Sequence, residues 1–95
     1  GIAIDDTEAA FWIEPHPASS TSEVTAMLAK LAWLRRKLDK AEFADLRRLT
    51  DAAGRIGIAF RWLTSSSIRL RPGSSDAMRL AKDGLAFPTR HLRLP

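Results

Sequence analysis

Ninety-five residues, 45% of them hydrophobic and 27% charged, suit one domain with a modest core. With no cysteine, disulfides and thiolate metal sites are excluded and a reducing, cytoplasmic setting is expected; no apolar run reaches the roughly 18 residues of a membrane helix, and no secretory leader pattern opens the chain. The net charge of +4 is unevenly divided: residues 1–23 carry Asp5, Asp6, Glu8, Glu14 and Glu23 and no Lys or Arg, while the rest holds all fifteen basic residues against six acidic ones. A single domain over residues 1–95 therefore has an acidic N-terminal segment with a Pro-rich link (1–19) and a basic body (20–95).

Ile2 and Ile4 alternate with Ala3, Asp5-Asp6-Thr7-Glu8 supplies turn chemistry, and Phe11-Trp12-Ile13 resumes an apolar extended run; this pattern predicts a hairpin or two short strands. Pro15 and Pro17 end it, since the residue before a proline avoids helical backbone. Ser20 with Glu23 three residues on forms a capping-box pattern. Val24, Met27, Leu28, Leu31, Leu34 and Leu38 follow at helical spacing, predicting a helix over 21–38. Asp39 and Glu42 repeat the capping box, with Leu38 and Phe43 as a hydrophobic staple. A second helix is expected to bury Phe43, Leu46, Leu49 and Ala53 and to end at Gly54.

Over residues 55–63 the large apolar Ile56, Ile58, Phe60 and Trp62 alternate with Arg55, Gly57, Ala59 and Arg61. Alternation of this kind predicts a strand. Ile68 and Leu70 alternate with Arg69 and Arg71, so a hairpin through Ser65-Ser66-Ser67 is expected, with Trp62 opposite Leu70 and Arg61 opposite Arg71. Ser74 or Ser75 caps a short third helix whose inner side is Ala77, Met78, Leu80 and Ala81, and Gly84 ends it. Residues 85–95 add a last strand, interrupted or kept at an edge by Pro88.

The element order β-α-α-β-β-α-β specifies an α+β fold: a small antiparallel sheet of three or four strands, with a helical hairpin and a short third helix on one side. The order is similar to a ferredoxin-like layout, which by itself implies no activity. The competing fold is mostly helical. Ala53 and Gly57 four apart, with Ile56, Ile58 and Leu63, resemble the helix-turn-helix pattern, although Ser66 stands where a buried apolar residue belongs. That resemblance implies Arg61, Thr64 and Ser65 in a major groove.

On the hairpin reading, Arg55, Arg61, Arg69 and Arg71 share one face, where guanidinium groups suit phosphate oxygens. A non-catalytic binding module for nucleic acid, DNA or RNA, is the first expectation. The alternative is a protein-interaction, adaptor or assembly domain. Trp33, nearly opposite the apolar stripe of its helix and accompanied by Arg36, Lys37 and Lys40, or a sheet edge, is then the contact. Docking of the acidic segment on the basic body of a second copy is a further form of that reading. No cofactor, metal or catalytic residue is expected: His16 and His91 lack ligand or triad spacing, and no glycine-rich phosphate loop is present. A helical hairpin followed by a basic sheet resembles in layout the small ribonuclease toxins of the RelE type. That resemblance implies His91, beside Arg90 and Arg93, as acid or base on RNA, with Arg61 or Arg71 on phosphate.

Overall fold

The computed structural model describes residues 1–4, 8–65 and 67–91. Along the chain come β1 (Ile2–Ile4), β2 (Ala10–Pro15), α1 (Thr21–Leu38), a 3-10 turn (Ala41–Phe43), α2 (Ala44–Ile56), β3 (Phe60–Leu63) and α3 (Ser75–Asp83). The strands form one sheet in the order β1-β2-β3. The expected N-terminal strand pair is present and antiparallel, with Ile2 opposite Trp12 and Ile4 opposite Ala10; its turn, residues 5–7, lies outside the described residues. β2 and β3 run parallel, Trp12 opposite Phe60 and Glu14 opposite Trp62.

The small α+β architecture with three helices agrees with the reading from sequence, while the sheet is mixed. A parallel pair requires a long crossover, and α1 with α2 supplies it.

The expected hairpin of residues 55–63 with 68–71 does not form. Arg55 and Ile56 are the last residues of α2, and the strand is confined to Phe60–Leu63. Both edges of β3 are already taken. On one side the amides of Trp12 and His16 bind the carbonyls of Ala59 and Leu63; on the other, those of Ala86 and Thr89 bind the carbonyls of Phe60 and Trp62. Residues 68–70 run instead beside the start of α1, where the Arg69 amide donates to Ala18 O at 3.0 Å. The alternation at Ile68 and Leu70 reflects burial in the core without strand pairing. Strand geometry at Phe60–Leu63 also removes the helix-turn-helix reading.

Of the expected last strand over residues 85–95, residues 92–95 lie outside the described residues, and the rest forms no continuous strand. Leu85 and Thr89 form isolated parallel bridges to Phe60 and Leu63, and the segment between them, containing Pro88, is an interrupted edge strand.

α1 spans the expected 18 residues and buries Val24, Met27, Leu31 and Leu38. Its expected capping box is absent: the Ser20 side chain makes no cap bond and lies 2.8 Å from the Ser22 hydroxyl, while Glu23 turns to His16. The chain redirects at residues 39–40 as expected, by a different device. Asp39 ends α1 and its carboxylate meets Arg47, and a 3-10 turn precedes α2. α2 continues through Gly54 to Ile56 and ends instead at Gly57, whose amide donates to Ala53 O at 3.0 Å.

α3 matches its predicted caps. The Ser74 hydroxyl accepts from Ala77 N at 3.2 Å, and Gly84 ends the helix at φ 78°. Met78, expected inside, is exposed, and Leu80 alone of the predicted inner residues is fully buried.

The core centres on Trp62, which is fully buried with Val24, Met27, Leu31, Leu70, Leu80 and Leu85 around it. Its indole N–H donates to His16 O at 2.8 Å, which satisfies the polar atom of a side chain buried on all sides. A second cluster joins Phe11 of β2 to Ala53 of α2 and to Ala9 and Ala59.

Candidate functional site

Period-two alternation divides the sheet into two faces, and the register puts Ile2, Ile4, Ala10, Trp12, Glu14, Phe60 and Trp62 on one of them. α1 crosses this face. Val24, Met27 and Leu31 pack on Trp62, Lys30 Nζ meets Glu14 Oε1 at 2.5 Å, and the Arg35 guanidinium lies 5.1 Å from the centroid of the Phe60 ring. Trp12 is tied to α2, its indole N–H donating to Thr50 Oγ1 at 2.9 Å. That hydroxyl in turn donates to Leu46 O.

Between α1 and the β1–β2 side of the sheet lies an apolar groove of about 360 Å³. Trp12, Ile13, Leu34 and Trp33 contribute to its walls, and the Lys30–Glu14 pair lines it. Trp33 stands at the lip, 54% exposed, with Lys37 Nζ 5.4 Å from its ring centroid. Arg36 and Lys40, also exposed, share the C-terminal half of the helix and the turn after it. Ile2 and Ile4, 47% and 59% exposed, continue the apolar surface toward the edge strand β1. Of the residues singled out with Trp33, Lys37 is brought to its ring, while Arg36 and Lys40 are exposed further along the chain. Trp12, which sequence reasoning left as an ordinary strand residue, joins Trp33 as groove wall; its place opposite Phe11 in the alternation is the signal that separates the two aromatics.

The four arginines of the expected hairpin face are not gathered. Arg55 is exposed in the last turn of α2. Arg61 is committed to the fold, its guanidinium 5.6 Å from the Phe11 centroid and its Nε donating to Ile58 O at 2.6 Å. Arg69 is exposed beside Ala18, and Arg71 precedes the α3 cap, its carbonyl accepting from Ser74. The expected pairing of Arg61 with Arg71 falls with the hairpin. Arg90 and His91 are exposed after the interrupted strand, and Arg93 lies outside the described residues.

Among the described residues no helix is long and apolar enough to cross a membrane, and no group of three or more His, Cys, Asp or Glu is placed to hold a metal ion. Comparison with protein-family models, with curated proteins and with solved structures finds no match for this chain.

Proposed function

We propose that this domain is a non-catalytic protein-interaction module that receives an acidic, apolar-bearing segment of a partner in the groove beside Trp33. The observation that carries the reading is a tryptophan 54% exposed at the lip of an apolar groove. Exposed tryptophan beside a pocket is the residue type that most often dominates the energy of a protein interface. Lys37 over its ring, with the exposed Arg36 and Lys40 further along the chain, supplies positive charge that complements an acidic segment and steers its approach.

The test uses a fluorescently labelled peptide alternating Glu with Leu, followed by polarisation. The wild-type chain binds it, and Trp33→Ala weakens binding by about 30-fold, the effect of losing a hot spot of about 2 kcal/mol. Equal binding by wild type and variant, or none by wild type, removes the reading.

A nucleic-acid partner is the second reading, favoured by the exposed Arg55, Arg69 and Arg71 and by the exposed Trp33 ring, on which a base can stack, beside Lys37. A labelled oligonucleotide titrated across a salt series separates the two. Nucleic-acid binding falls steeply with salt as counterions are released, and Arg69→Ala with Arg71→Ala lowers it. Peptide binding through the groove falls mainly with Trp33→Ala.

A further inference from the structure

The parallel arrangement creates a second concave surface, remote from any expectation based on a hairpin. Three parallel segments of this protein end together. His16 follows β2, Thr64 and Ser65 follow β3, and Arg90 follows the interrupted strand that ends at Thr89. They are laced to one another by His16 N to Leu63 O at 2.9 Å and Thr64 N to Thr89 O at 3.0 Å. The cavity they leave, about 460 Å³, is lined by residues 15–17, 63–65 and Arg90. That volume lies in the range of small-molecule sites.

Its chemistry is specific. Arg90 and Ser65 are exposed on its wall, and both side chains are able to donate hydrogen bonds. Arg90 sits on a tight turn held by the Thr89 hydroxyl, which bonds the His91 carbonyl at 2.9 Å and accepts from the His91 amide at 3.2 Å. No carboxylate is among the described residues that line the cavity. Behind the wall, Glu23 Oε2 lies 2.5 Å from Nε2 of the His16 ring. This contact holds the imidazole edge away from solvent. Pro15, Pro17 and Leu63 give the remaining wall an apolar character suited to a flat ring.

We propose that this cavity binds a small phosphate monoester carrying a flat apolar group, with the phosphate on Arg90 and Ser65 and the ring against the prolines and Leu63. A guanidinium matches phosphate oxygens in bidentate fashion, and the apolar wall accounts for a ring better than for a bare anion. The site is independent of the groove beside Trp33.

The chain contains only two histidines, His16 and His91, so their ring proton resonances are a direct probe. Adenosine 5′-monophosphate, inorganic phosphate and adenosine are titrated into the wild-type chain. The monophosphate shifts the His16 resonances saturably, phosphate does so more weakly, and Arg90→Ala lowers the affinity for the monophosphate by about tenfold or more, as loss of a charge-assisted contact does. Arg48→Ala, an exposed change on α2, leaves it unaltered. His16 resonances unmoved by the monophosphate and by phosphate at millimolar concentration, or Arg90→Ala binding as tightly as wild type, overturn the proposal. Because Arg90 is exposed, its loss leaves the fold intact, and unchanged His16 resonances in the free variant verify this.

Discussion

Two glycines illustrate how conformation, and not residue type, sets the consequence of a substitution. Gly54 lies inside α2 with nothing within 4 Å of where a Cβ would stand. There glycine only adds freedom to the unfolded chain, so Gly54→Ala stabilises the protein by about 0.5–1 kcal/mol. Gly84 ends α3 at φ 78°, and a Cβ would come 2.8 Å from Arg35 Nη2. The guanidinium is the end of a long side chain and can move, whereas the left-handed backbone cannot be relieved. Gly84→Ala therefore destabilises by about 1 kcal/mol or more. Urea unfolding midpoints of the two variants should move in opposite directions.

At the scale of elements, the contrast lies between two serines that share a sequence signature. Ser74 accepts from Ala77 N and caps α3, while Ser20 makes no cap bond and pairs with Ser22. Ser74→Ala should cost about 1 kcal/mol, the usual worth of a helix cap, and Ser20→Ala only a small fraction of that; thermal melts of the two variants check it. The capping box at α1 was legible as a pattern but failed because Glu23 has a better tertiary partner in His16. The α1 boundaries were legible because six apolar residues at helical spacing form one continuous stripe, four of them fully buried. The residues after α2 were not. Ile56 and Ile58 alternate like strand residues and yet stand 48% and 44% exposed, so the alternation there records no buried face.

For the whole molecule, Trp62 ties β2, β3, α1 and α3 together through one buried ring and one hydrogen bond to His16 O. Replacing it leaves a cavity and an unpaired carbonyl, and Trp62→Ala should cost about 3–5 kcal/mol. In a domain of this size that is a large share of the total stability, and loss of the cooperative unfolding transition is the expected readout. Trp62→Phe keeps most of the packing and loses the hydrogen bond, so it should fall between the variant and the wild type.

Local order in the chain by itself determined the N-terminal strand pair, α1, the redirection at residue 39, α3 with both caps, and the interruption at Pro88. Each depends on neighbours within a few residues: spacing of apolar side chains, a capping serine, a glycine at positive φ, a proline without an amide. The exposure of Trp33 was legible for the same reason, since it stands opposite the apolar stripe of α1. Only the tertiary structure decided which strands pair. The edge of β3 that residues 68–71 would need is occupied by residues 85–89, and its other edge by β2, which arrives after a crossover of two helices. Pairing of that kind is a competition between distant segments for the same backbone hydrogen bonds, and alternation within one segment carries no record of its winner. With it went the arginine face, and from it came the meeting of His16, Ser65 and Arg90, residues 49 and 25 positions apart in the chain, at the carboxyl ends of three parallel segments.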